Sequence, residues 1–214
     1  MKSPIKLYRE SFSGLSRPVW LLSAVMFINR AGTMVIPFLT IYLTSQLGFT
    51  KVQAGLIMSV FGIGSLVGSM IGGYLCERVG YFKVMFSSLF LSGFGFYSLL
   101  WADSFNSMAV MIFFLSVIAE SFRPAAQVAI GAYSKPENRL SSISLLRLAI
   151  NLGFAFGPFI GGIIAQKMGY WTLFILDGTT CILASIFFVL VLSPKKVPEK
   201  EKEDDLGAVV GENR

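Results

Sequence analysis

Six long apolar runs, separated by short polar connectors, organise the chain. They cover residues 19–44, 52–76, 84–102, 107–130, 140–166 and 171–192, termed spans 1 to 6. A helix needs ~20 apolar residues to cross the hydrocarbon core of a bilayer, and each run is close to that length or longer. The connectors at 46–50, 77–80, 103–106, 134–139 and 167–170 hold glycines, a proline and charges that interrupt the apolar pattern. Thr50 is placed to cap span 2 through its hydroxyl, and Asp103 offers the same at span 4. The pattern predicts an all-α membrane protein with a six-transmembrane-helix bundle over 19–192. An N-terminal tail covers 1–18. A tail over 193–214, rich in Lys, Glu and Asp with two prolines, reads as a flexible charged segment.

Composition narrows the class. Of 214 residues, 54% are hydrophobic and 14% charged, against roughly 25% charged in soluble domains. Such a chain has no room for a large extramembrane enzyme domain. Histidine is absent, which excludes an imidazole-based triad, a histidine metal site and the catalytic histidine of a rhomboid-type protease. No cofactor, metal or enzymatic activity is expected. Cys76 and Cys181 lie inside apolar runs and read as small buried hydrophobes.

The charge of +6 is distributed by side. Lys2, Lys6, Arg9, Arg17, Arg78, Lys83, Lys135, Arg139 and the C-terminal basic residues fall on one side, and only Lys51 and Lys167 on the other. The positive-inside rule then predicts a multi-pass protein of a plasma membrane, such as a bacterial inner membrane, with both termini in the cytoplasm. Because the basic residues follow sidedness, no nucleic-acid partner is expected. Span 1 is too long for a signal-peptide h-region and contains Arg30, so it reads as a true transmembrane helix.

The chain repeats itself. Residues 71–81, IGGYLCERVGY, align without a gap on residues 160–170, IGGIIAQKMGY, at an offset of 89 residues. Gly64, Gly68 and Gly72 fall on Gly153, Gly157 and Gly161. Spans 2 and 5 therefore share a glycine face and an exit turn, yet exit on opposite sides. Two inverted three-helix repeats follow, a recurring plan of secondary transporters.

Several motifs then resemble a known family. Gly73-x3-Glu77-Arg78-x-Gly80, followed by Lys83, is similar to the loop signature between helices 2 and 3 of the major facilitator superfamily. Glu77 stands where that family has aspartate, and Tyr81 and Phe82 replace a basic pair. Gly153-x3-Gly157-Pro158-x2-Gly161-Gly162 resembles the helix 5 signature of drug/proton antiporters. Arg123, within 119–127, resembles the helix 4 arginine. The resemblance implies the N-terminal six-helix half of such a transporter, a gating loop at Gly73, Glu77, Arg78 and Gly80, and proton coupling at Arg123. It also implies a second six-helix half, supplied by a separate chain or by further sequence. Arg30-Ala31-Gly32, residues 41–44 and Ile150-Asn151-x-Gly153 resemble helices 1 and 5 of proton-coupled oligopeptide transporters, with Asn29 where that family has a glutamate.

Charges inside the spans mark the candidate site. A charge at the bilayer centre costs at least ~2.5–3.5 kcal/mol, so it usually faces the interior and serves function. At ~1.5 Å rise per residue, Arg30 and Asn151 lie near the midplane, and Glu120, Arg123 and Arg147 on the inner half. These groups are expected to form one polar cluster between spans 1, 4 and 5. Glu120 is the sole carboxylate of that zone. Apolar surroundings and neighbouring arginines act oppositely on its charge, so a conformational change can move a proton on or off it. Arg30, Arg147, Asn151, Phe27, Tyr42 and Gln127 are the candidate cavity residues. Asp177, in the outer part of span 6, is expected to be structural, bonded to Arg or to hydroxyl neighbours such as Thr179 and Thr180.

The expectation is secondary, proton-coupled transport of small molecules by alternating access, most simply efflux of amphipathic compounds. Uptake of peptides or related nutrients is the alternative within transport. A non-transporting membrane receptor or assembly subunit is the alternative of another class. The expected partners are the lipid bilayer, a small-molecule substrate, protons and the second half.

Overall fold

A computed structural model describes residues 12 and 14–195. Lys2, Lys6, Arg9 and the tail beyond Lys195 lie outside the described residues. The chain runs through α1 (Arg17–Ala31), α2 (Val35–Ser45), α3 (Lys51–Val79), α4 (Tyr81–Ser98), α5 (Phe105–Glu120), α6 (Phe122–Tyr133), α7 (Arg139–Met168) and α8 (Trp171–Val191). Short 3-10 turns sit at Leu99–Trp101 and Pro136–Asn138. Six segments are long and apolar enough to cross a membrane: Arg17–Ser45, Lys51–Val79, Tyr81–Trp101, Phe105–Tyr133, Pro136–Met168 and Trp171–Val191. The six-span bundle is as predicted, with ends shifted by a few residues.

Local chemistry explains the ends. Thr50 caps α3 as expected, in a reciprocal box with Gln53: the Gln53 amide donates to Thr50 Oγ1 at 3.2 Å and the Thr50 amide to Gln53 Oε1 at 2.9 Å. At α5 the cap is Ser104, not Asp103. Its hydroxyl accepts from the Ser107 amide at 3.2 Å while Ser107 Oγ accepts from the Ser104 amide. Gly80 and Gly169 end α3 and α7 with nearly the same backbone, φ 89° ψ 147° and φ 88° ψ 158°. Positive φ is open to glycine at little cost, so the matched exit turns of the repeat are one conformation used twice.

Spans 1 and 4 are each broken, at the polar stretches 29–33 and 120–124. Span 1 breaks between Ala31 and Val35, and span 4 at Ser121. Gly32 and Ser121 are themselves separated by the repeat offset of 89, so the break belongs to the repeat.

The glycine faces explain the packing. A Cβ on Gly153 would lie 2.5 Å from Arg30 Cβ, and one on Gly157 2.9 Å from the Ala31 carbonyl oxygen. A Cβ on Gly72 would lie 2.6 Å from the Ser121 Cα, and one on Gly68 would strike the Val117 carbonyl. Span 5 thus seats on the break of span 1, and span 2 on the break of span 4. Each half of the repeat lends its glycine helix to the other's broken helix. Only glycine allows such backbone approach between membrane helices. Spans 3 and 6 meet across Gly93 and Ile182, again 89 residues apart, so the repeat axis passes between them.

Two apolar cores result. One gathers Val19, Leu22, Val25, Met85, Phe122, Ala125, Tyr133 and Phe188. The other gathers Val35, Leu39, Leu43, Ile57, Leu99, Ile112, Leu115 and Phe174. They meet at the level of the two breaks, where the polar side chains lie.

Candidate substrate and proton site

Between the two cores lies a cavity of about 250 Å³. Arg30, Glu120, Arg123, Asn29, Ser88, Ser92 and Thr33 supply its polar wall. Phe61, Phe96, Phe122, Phe154, Leu89 and Leu115 supply the apolar wall. Ser88, Leu89, Ser92 and Phe122 are buried, whereas Pro37, Arg123 and Phe154 are exposed at the rim. The cavity therefore opens on the side formed by spans 1, 4 and 5.

The breaks put the charges there. Arg30 closes the last turn of α1, Glu120 ends α5 and Arg123 starts α6. Arg123 Nε stands 3.4 Å from Glu120 Oε2, one turn on, with the carboxylate side chain 14% exposed and the guanidinium side chain 63% exposed. Arg30 lies within electrostatic reach of both, and its guanidinium carbon sits 5.4 Å from the centre of the Phe154 ring, a cation–π distance. Its Nε is buried without a hydrogen-bond partner.

The break of span 1 has its own fastening. Asp177 is fully buried. Its Oδ2 accepts from the Met34 amide at 2.9 Å and the Val35 amide at 2.8 Å, and Oδ1 from Met34 at 3.0 Å. These are first-turn donors of α2, which have no partner within the helix. A side chain from span 6 thus caps a helix in span 1, and the carboxylate charge meets the positive end of the helix dipole. The structural role expected of Asp177 is seen, but its partners are backbone amides rather than Arg or hydroxyls. The donors appear only because the helix breaks. At the matching position in span 4, Val35 corresponds to Pro124, which has no N–H to be accepted.

A model of the major facilitator superfamily matches residues 19–212. The chain belongs to the major facilitator superfamily. It is 30% identical over 150 residues to the uncharacterized MFS-type transporter YqjV of Bacillus subtilis, covering 66% of this chain and 34% of that protein. It is 26% identical over 184 residues to the quinolone resistance protein NorA of Staphylococcus aureus, covering 85% of this chain and 47% of NorA. It is 23% identical over 182 residues to the 4-hydroxybenzoate transporter PcaK of Acinetobacter baylyi, covering 83% and 40%. The chain spans under half the length of these relatives. It is a multi-pass membrane protein of a transporter family.

The remaining family-motif and cavity residues separate into groups. Gly153, Gly157 and Gly161 carry the seat of span 5 on span 1, while Gly162 touches only the Phe38 ring and Pro158 lies within α7. Gly73 has nothing near its Cβ direction, in contrast to Gly72. Glu77 and Arg78 are exposed at the end of α3, with the Arg78 guanidinium 5.1 Å over the Tyr74 ring. Phe27 packs edge-on to Phe156 at 6.4 Å, and Tyr42 edge-on to Phe174 at 4.9 Å in the second core. Neither lines the cavity.

The expected cluster of five polar residues divides. Arg30, Glu120 and Arg123 come together, but Arg147 and Asn151 do not join them. They are exposed on α7, as Gln127 is on α6. Ser144, Arg147 and Asn151 form one helical stripe with Phe154. Arg123 and Gln127 form another, Pro37 and Thr40 a third, and Gly55, Ser59 and Gly62 a fourth on α3. Four spans thus present polar or small residues on exposed stripes, three of them bordering the cavity mouth. The exposed surface also carries large hydrophobics such as Leu66, Met70, Leu140 and Leu190, as a lipid contact requires. Sequence reading missed Asn29, Ser88, Ser92 and Phe96 in the cavity wall; Asn29 adjoins Arg30, whereas span 3, which carries the other three, holds no charge that could have marked them.

Proposed function

We propose that the chain forms the N-terminal half of a proton-coupled secondary transporter that exports amphipathic small molecules by alternating access. The observation that carries this is the half-closed cavity: one carboxylate and two arginines between two apolar cores, opening onto polar stripes of four spans. Such stripes are costly against lipid, and a second six-helix half laid over them both covers the stripes and closes the cavity. That half is a separate polypeptide or a continuation of this one. The lengths of the relatives support the same reading, and the name of the quinolone resistance protein supports export of amphipathic compounds. The Lys/Arg distribution supports a bacterial inner membrane with both termini in the cytoplasm.

Glu120 is the proton carrier in this scheme. In one state it is paired with Arg123; when the bundles rock, that pairing loosens, the ionised form loses its support, and a proton binds. Broken spans 1 and 4, seated on glycine faces, are the elements that let the cavity walls tilt.

The test is reconstitution into proteoliposomes with and without the second half, an imposed pH gradient, and a quinolone as substrate. Substrate-dependent proton flux is expected only with both halves, and Glu120→Gln is expected to uncouple it. Unchanged pH-driven transport by Glu120→Gln would remove the proton-carrier role, and transport by this chain alone as a monomer would remove the half-transporter reading.

A further inference from the structure

The charges of the cavity do not balance. Glu120 is committed to Arg123 at 3.4 Å. Arg30 has no ion pair or side-chain hydrogen bond among the described residues, and its Nε is a buried donor without an acceptor. Ser92 Oγ, in the same wall, is likewise buried and unpartnered. A guanidinium does not give up its proton under these conditions. Arg30 is half-buried and shares the one carboxylate within its reach, Glu120, with Arg123, so the site carries an excess positive charge, which is costly in a protein interior and more so within a membrane. Around it the wall is aromatic: Phe61, Phe96, Phe122 and Phe154.

From this arrangement we infer that the cavity takes a small organic monoanion, an aromatic carboxylate, with Arg30 as its anchoring cation. This rests on the reading that substrate enters this cavity. The planar fork of arginine matches a carboxylate with two parallel N–H···O bonds. Ser92 Oγ supplies a further donor in the same wall, and the phenylalanines supply the face for the ring. A cationic ligand would meet an unpaired arginine and a carboxylate already engaged. The other source of an anion is a carboxylate side chain from the second half, and the experiment separates the two.

The experiment is equilibrium binding to the intact, purified transporter without any gradient, using radiolabelled benzoate, benzamide and benzylammonium. Benzamide has the shape of benzoate without its charge. Benzoate is expected to bind at least about ten-fold more tightly than benzamide, the size of one good charge-assisted bond, and benzylammonium more weakly than either. Arg30→Gln is expected to abolish the preference, and residual benzamide binding by the variant reports an intact cavity. Glu120→Gln is expected to tighten benzoate binding. Equal binding of benzoate and benzamide by the wild-type protein overturns the inference, and is the result if a carboxylate of the second half already neutralises Arg30. That comparison needs no variant, so a misfolded Arg30→Gln leaves the inference open to refutation. Retention of the full preference by folded Arg30→Gln overturns it too. Quinolone-driven proton flux without any benzoate preference would sink this inference alone. An Arg30-dependent preference without proton flux driven by either quinolone or benzoate would sink the transport reading instead.

Discussion

Removing the Asp177 carboxylate should open the joint between spans 1 and 6. Among the described residues, the Val35 amide has Asp177 as its only hydrogen-bond acceptor, and the Met34 amide otherwise has only the carbonyl of Gly32, two residues back, at 2.9 Å. In Asp177→Ala, Val35 N–H becomes a buried orphan, costing ~1–3 kcal/mol. Loss of the carboxylate at the start of α2 removes up to ~2 kcal/mol of helix-dipole interaction in a buried setting. Relief of carboxylate burial offsets part of this, leaving a net destabilisation of roughly 3 kcal/mol. Asp177→Asn keeps one acceptor and should lose about half as much. The native Cys181, buried one turn along α8, reports the joint directly. In a Cys76→Ser background, labelling of Cys181 by a thiol-reactive dye in detergent should accelerate roughly a hundred-fold in Asp177→Ala, because each ~1.4 kcal/mol of opening free energy is a factor of ten. Asp177→Asn should fall between. Wild-type labelling rates in Asp177→Ala, with an unchanged thermal unfolding midpoint, would show that the cap does not hold the two spans together.

Three further outcomes follow from the packing. Gly157→Ala puts a methyl group against the Ala31 carbonyl and should cost ~1–3 kcal/mol as overpacking, whereas Gly73→Ala, with open space at its Cβ, should be neutral or stabilising by up to ~1 kcal/mol; thermal unfolding in detergent compares them, and equal midpoints would contradict the seat of span 5 on span 1. Thr50→Ala should lower stability by ~0.5–2 kcal/mol through loss of its capping box, and loosen the start of α3 in hydrogen exchange without affecting α7. Cysteines placed at Arg147 and Asn151 in a cysteine-free background should react with a maleimide when this chain is alone, and be protected when the second half is added; equal reactivity would show that the polar stripes are not the covered face.

Residue order alone set the number of spans and the inverted repeat, because hydrophobic length and residue spacing are local properties. It also exposed the glycine face, since spacing of three and four residues is visible without a partner. What that face packs against was not visible: Gly157 meets Ala31, and Gly68 meets Val117, far off in the chain. The same limit separates Arg30 from Arg147. Both lie inside apolar runs, and only rotation of each helix about its axis, set by which side finds a glycine seat, turns one into the cavity and the other outward. The breaks at Gly32 and Ser121 fall in polar stretches, 29–33 and 120–124, with Pro37 and Pro124 marking bends nearby, but a bend in the sequence does not show where the helix parts. The partners of Asp177 were hidden too, since a backbone amide becomes a free donor only once the helix is interrupted. Sequence thus determined the helices and their order, and tertiary packing decided which faces meet, because facing depends on contacts between distant segments.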